Sequence, residues 1–314
     1  MEEILCIDIG GSKYMVGVVT PEGKILQCRK FLWENDKGNP GKMMGRIIKT
    51  VDQVLTEHPR CTENPVGMTI PGLVDAEEGV WRSSEFLGVS NLPVGAVFKR
   101  RYGVSLAMEN DANACAYGEC FFGEGRFCKN FLYMTVSNSI GGALCLNGEI
   151  YTGAWGEAGE FGMCLAEDML EKKTSVRRPL ETLASGRGLS ENYCRLKGID
   201  DGRQIHAAVL ERYAQKGDEA AARAFELEGT YLGRAIAHAA FLLNPQKVVL
   251  GGGLSLLFDS YKATLMDTLR REMKRLPNSM PEVKATSLGY HGALLGAAAL
   301  VLKLQEMREG NEDG

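Results

Sequence analysis

An apolar run, Ile4-Leu5-Cys6-Ile7, leads into Asp8-Ile9-Gly10-Gly11-Ser12-Lys13, and a second apolar run follows from Tyr14 to Val19. Strand-length apolar runs on either side of a Gly pair predict strand, tight turn, strand. Residues 24–32 predict a third strand. Met43, Met44, Ile47, Ile48, Val51, Val54 and Leu55 then recur at helical spacing. Residues 65–70 predict a short buried strand closed by the turn pair Pro71-Gly72. A helix is expected over 93–102, a strand over 105–108 and a helix over the Ala-rich stretch 112–122.

A second strand set begins at 130–136 and passes through Ser137-Asn138-Ser139-Ile140-Gly141-Gly142 into 143–146, where Asn147-Gly148 supplies a favoured two-residue hairpin turn. Strand, turn, strand therefore occurs twice, near Asp8 and near Gly141, which suggests two related lobes serving one nucleotide. The C-terminal half predicts helices over 203–215, 218–243, 258–276 and 292–308, with a strand at 247–250 that runs into Gly251-Gly252-Gly253. Residues 308–314 form a charged tail expected to fray.

Composition narrows the field. A chain of 314 residues suits two lobes better than one core. Its 45% hydrophobic and 24% charged content is that of an ordinary soluble globular protein. A net charge of −4 offers nothing to a polyanion, so no nucleic-acid partner is expected. The acidic start leads straight into a strand, without a signal peptide, and no apolar span is long enough for a membrane helix. The nine cysteines form no CxC or CxxC pair, and Cys6, Cys115 and Cys145 sit in apolar stretches, which suggests reduced thiols and a cytoplasmic location. The four histidines lie far apart and supply no evident zinc ligand set.

Four segments carry candidate chemistry, each with a plainer alternative. Asp8, two glycines, a hydroxyl and a lysine suit a nucleotide phosphate with magnesium, or make an ordinary hairpin turn. Asp111, in Glu109-Asn110-Asp111 at a strand end, can take the proton of a sugar hydroxyl as it attacks a γ-phosphate, or can cap the next helix. The Gly-punctuated stretch 156–162 can present a carboxylate to vicinal hydroxyls, or form a surface turn. Gly251, Gly252 and Gly253 suit close approach of adenosine or phosphate, or a crowded strand-to-helix turn.

Taken in order, from Asp8 to about Ala298, these segments resemble the ROK (repressor, open reading frame, kinase) family of the actin/hexokinase-like ATPase superfamily. The resemblance implies an α/β, two-lobed actin/hexokinase-like (ribonuclease H-like) fold with an active-site cleft between the lobes. The smaller lobe would hold residues 1–108, with helix 292–308 packing back onto it, and the larger lobe 109–291. The implied activity is ATP- and magnesium-dependent phosphorylation of a sugar hydroxyl. By the same match Asp8 helps position Mg2+, and Gly10, Gly11, Ser12 and Lys13 form the first phosphate loop, with Ser12 in place of the usual Thr. Ser137, Asn138, Gly141 and Gly142 form the second, and Gly251, Gly252 and Gly253 lie on the adenosine side. Asp111 is the implied catalytic base. Asn110, Glu160 and Glu181 are implied sugar ligands, with Asn91 a further one. A glucose-type hexose is the first acceptor, N-acetylmannosamine or a β-glucoside the next. The family habit is a homodimer.

Three departures bear on these expectations. Met163 stands where the family has His, and residues 171–179 stand where a Cys-rich zinc segment is usual but contain no Cys, so no structural zinc is expected. Ser137, Asn138 and Ser139 replace Gly, Thr and Gly of the second phosphate loop, which would strain the backbone wherever φ must be positive. The alternative reading is therefore a catalytically weak or inactive sugar-binding, sensing protein. The few residues before Asp8 leave no room for a DNA-binding domain, so a repressor is not expected.

Overall fold

The first apolar run becomes β1 (Ile4–Ile9), buried at all of its positions, as a strand covered on both faces must be. It pairs antiparallel with β2 (Lys13–Val19), which pairs with β3 (Ile25–Leu32). Helix α1 (Pro40–Glu57) buries Met43, Met44, Ile47, Val51 and Val54 on one stripe, and Asn39 caps it by accepting from the Lys42 N–H at 3.1 Å. Strand β4 (Val66–Ile70) joins β1 in parallel. A small antiparallel sheet of β5 (Leu73–Asp75), β6 (Val80–Ser84) and β7 (Val89–Leu92) follows, then α2 (Val94–Tyr102). Strand β8 (Leu106–Asn110) completes a sheet of order β3-β2-β1-β4-β8 and runs directly into α3 (Asp111–Phe122). The C-terminal helix (Gly292–Glu312) packs on α3 and on β1, β4 and β8.

The second sheet repeats the plan. Strands β9 (Phe131–Val136), β10 (Ile140–Leu146) and β11 (Glu149–Tyr151) form its antiparallel half. The Asn147-Gly148 turn has positive φ at both residues, as the sequence pattern requires. After β12 (Leu165–Glu167) and β13 (Arg177–Pro179), a two-stranded hairpin, come α4 (Leu180–Ala184), α5 (Gly186–Lys197), α6 (Ala207–Gln215) and α7 (Glu219–Leu243). Strands β14 (Lys247–Gly251) and β15 (Glu282–Ala285), with α8 (Lys262–Glu272) between them, add the parallel half, giving β11-β10-β9-β14-β15. The C-terminal helix is α9.

The computed structural model describes residues 2–33, 36–171 and 176–312. They fall into two compact units: Met1–Arg126 with Ala154–Glu157 and His291–Gly314, and Phe127–Gly153 with Ala158–Tyr290. The first unit runs past residue 108, where the sequence reading ended it, because α3 packs along α9. The tail expected to fray from 308 is helical backbone through Glu312. The helix expected over 258–276 is shorter, since 3₁₀ turns occupy Gly253–Ser260.

Candidate functional site

In the first unit β1, β4 and β8 run parallel, so their C-terminal ends share one end of the sheet, where open α/β sheets bind ligands. Strand register sets Asp8 beside Thr69 and Thr69 beside Glu109. Asp8 is buried and accepts a hydrogen bond from the Thr69 hydroxyl at 2.9 Å. Burial pushes its carboxyl above the usual range, against the Thr69 hydrogen bond and the charges of Lys13 and His291, which pull it down. The turn after Asp8 is braced from both sides: the Gly10 N–H donates to the Lys13 carbonyl at 2.8 Å, and the indole N–H of buried Trp33 donates to the Gly10 carbonyl at 2.7 Å. Ser12 is exposed on the turn, and Lys13 begins β2. A Cβ on Gly11 would stand 2.7 Å from the Phe86 ring.

At the end of β8 the cap of α3 is Asn110, whose Oδ1 accepts from the Ala112 N–H at 2.9 Å while its Nδ2 donates to the Gly72 carbonyl at 3.0 Å. Asp111 occupies the first turn and also accepts from the Ala112 N–H, at 2.9 Å. The capping role that the sequence left open for Asp111 therefore belongs first to its neighbour. Glu109 accepts from the Asn110 N–H at 2.7 Å, and burial raises its carboxyl above the ordinary range despite that bond and the Asn113 amide. Asn91 lies at the end of β7 with a φ of 47°, and its Oδ1 accepts from Arg82 at 3.4 Å.

In the second unit β9 and β14 run parallel, so Ser137 to Ser139 and Gly252-Gly253 leave adjacent strand ends. Gly252 has a φ of 78°, and a Cβ there would stand 2.5 Å from the Val136 carbonyl oxygen; Gly253 faces open space. None of Ser137, Asn138 and Ser139 has positive φ, so the strain expected from replacing glycines is absent. The loop is closed by the Ser137 N–H donating to Ser139 at 2.9 Å and by the Gly186 N–H donating to Ser137 at 2.6 Å. Gly141 and Gly142 lie inside β10 rather than in the turn, paired with Thr135 and Met134. A Cβ on Gly142 would stand 2.4 Å from the Phe161 ring, so this glycine seats the segment that carries Glu160.

Glu160 is exposed and precedes the 3₁₀ turn Phe161–Met163. Glu181 sits in the first turn of α4. Gly162 brings the two segments together, because a Cβ there would lie 3.2 Å from the Glu181 Cβ and 2.2 Å from the Ile140 carbonyl oxygen. Met163 and Cys164 are exposed; of the segment expected to lack zinc ligands, Lys172, Lys173, Thr174 and Ser175 lie outside the described residues. Among the described residues no group of three or more His, Cys, Asp and Glu is placed to hold a metal ion. Magnesium at a phosphate site commonly takes one or two carboxylates and draws its other ligands from phosphate and water, and the single Asp8 carboxylate fits that pattern. Sequence reasoning missed Thr69 and His291 around Asp8, since only strand register and the 3₁₀ turn ahead of the last helix bring them there.

Two five-stranded sheets of one strand order, each with its hairpin half and its loops at the C-terminal ends of parallel strands, define a protein of the actin/hexokinase-like class. The ROK family model matches residues 4–304, and the chain belongs to the ROK family. A glucokinase of Thermotoga maritima is 30% identical, over 95% of this chain and 97% of its own length. The crystal structure of a ROK hexokinase from Thermus thermophilus superposes with a TM-score of 0.80 at 27% identity, covering 97% of this chain and 99% of that one. A ROK family glucokinase from Streptomyces griseus, solved with glucose and AMPPNP, gives 0.76 at 26% identity, over 96% and 99%.

Proposed function

We propose that this chain is a sugar kinase that transfers the γ-phosphoryl group of ATP to a hydroxyl of a glucose-type hexose, with N-acetylmannosamine or a β-glucoside as the next acceptors. Full-length similarity to a glucokinase and to a kinase structure holding glucose and AMPPNP supports the activity. The observation that carries the residue assignment is the end of β8, where Asn110 holds the cap and Asp111 follows it in the first helical turn.

In this reading Asp111 takes the proton from the attacking hydroxyl, so that the oxygen carries more charge as it meets phosphorus. Asn110, Glu160 and Glu181 orient the sugar by accepting from its hydroxyls, and Asn91 adds a further contact. Gly10, Gly11, Ser12 and Lys13 hold phosphate at the first loop, with Ser137 and Asn138 at the second and Gly251, Gly252 and Gly253 on the adenosine side. Gly141 and Gly142 act through the backbone of β10. Mg2+ bound with the nucleotide would neutralise developing phosphate charge, and Asp8 is the residue that would hold it. We further propose a cytoplasmic homodimer without structural zinc.

Replacing Asp111 by Asn tests the base. It should remove most of kcat and leave sugar Kd within a few-fold, about 1 kcal/mol or less. An equal loss of sugar binding, measured by calorimetry, would make Asp111 a ligand and not the base.

A further inference from the structure

The β12–β13 hairpin lies in the chain between the two proposed sugar carboxylates. Glu160 precedes β12 by a single 3₁₀ turn, and Glu181 follows β13 in α4. The two arms are tied where they meet the site: Leu165 pairs with Pro179, and the Leu180 N–H donates to the Cys164 carbonyl at 2.8 Å. Three-residue strands of this kind do not hold themselves in place.

Asp168, just beyond β12, supplies the anchor. Its side chain is 2% exposed. Oδ2 accepts from Arg195 Nη1 at 2.8 Å and from Arg178 Nη1 at 3.4 Å, and Oδ1 accepts from the Leu170 N–H at 3.0 Å. Arg178 belongs to β13 and donates again, to Glu191 Oε1 of α5 at 2.7 Å; Arg195 also belongs to α5. Beside the carboxylate, the Met169 N–H donates to the Tyr231 hydroxyl of α7 at 2.9 Å. Burial would push the Asp168 carboxyl up, but Arg195, the Leu170 N–H and Arg178 outweigh it and hold it below the usual range. One buried carboxylate thus bolts both arms of the hairpin to α5, with α7 holding the turn beside it.

We infer that Asp168, with Arg195 and Arg178, is the positioning group for the sugar site, holding Glu160 and Glu181 in register through the β12–β13 hairpin. This rests on the sugar-kinase reading of those two acids. Removing the charge leaves two arginines facing a buried neutral group, so the hairpin loosens while the nucleotide loops, on other strands, stay.

The test uses the full-length chain with Asp168→Asn, Arg195→Met and Arg195→Lys. In the first two, amide hydrogen exchange should quicken about tenfold in peptides covering 160–167 and 177–184 and stay unchanged over 131–136. Acceptor KM should rise about tenfold with ATP KM within about twofold, and Arg195→Lys, which keeps the charge, should recover most of the acceptor KM. Unchanged exchange at the hairpin overturns the proposal, as does faster exchange with acceptor KM unaltered, or ATP and acceptor KM rising together. If Asp168→Asn does not fold, Arg178→Met removes the contacts of the β13 arm to Asp168 and to Glu191 and carries the same readouts. A parent chain that phosphorylates no sugar would defeat the kinase reading instead, and the exchange arm would still decide whether Asp168 holds the hairpin.

Discussion

Asp8 must be ionised to draw a cation, yet it is buried, and its pKa is raised by that burial. In the folded chain it therefore favours the proton more than it would unfolded, so its contribution to stability is complete below the unfolded pKa and is lost as pH rises through the folded one. In the proposed role of Asp8 as the magnesium ligand, activity would run the other way and need the pH above the folded value. The Thr69 hydroxyl lowers that value by donating to the carboxylate. Thr69→Val should shift the acid limb of the kcat/KM profile to higher pH and raise the magnesium concentration needed for half-maximal rate. A limb that stays in place or moves to lower pH would show that Asp8 does not titrate in that profile. The sequence showed Asp8 as a strand-end acid but held no sign of Thr69, because the two meet only through parallel register. Asn110 and Asp111 were both visible as candidates; which one caps α3 depends on where the helix begins to the residue, and periodicity does not resolve that.

At the scale of elements, the Glu160 loop is seated by what its neighbours lack. Gly162 packs against the Ile140 carbonyl with no room for a methyl group, since a Cβ there would stand 2.2 Å from the oxygen. Gly162→Ala must push the Phe161–Met163 turn away from β10 and take Glu160 with it. Acceptor KM should rise at least tenfold, about 1.4 kcal/mol, with ATP KM nearly constant. Equal kinetics for acceptor in the variant would mean that this loop does not set the sugar site. Strands buried on both faces were legible as apolar runs, as β1, β4, β9 and β14 illustrate. The β5–β7 sheet and the β12–β13 hairpin were not, because short strands with exposed positions such as Leu165 carry neither alternation nor an apolar run. The ion cluster at Asp168 was equally hidden, since Asp168, Arg178 and Arg195 are separated in sequence and match no spacing rule. Concern over Ser137 and Ser139 rested on φ values that a sequence does not contain, and the loop adopts none in the left-handed region.

Over the whole molecule, the repeated strand, turn, strand plan was the most legible feature, and it reappears as two sheets with the same strand order. ROK membership spans nearly the full chain, residues 4–304. The exact end of the first unit was less legible, since it depends on α3 packing along a helix from the other end of the chain. The central claim is that the protein phosphorylates a sugar. A coupled ADP-release assay across a panel of glucose-type hexoses, N-acetylmannosamine and β-glucosides tests it most directly. The account predicts that at least one acceptor raises magnesium-dependent turnover well above the ATPase background. If none does while calorimetry shows a sugar bound, the chain is a sugar-binding protein and the kinase assignment is wrong.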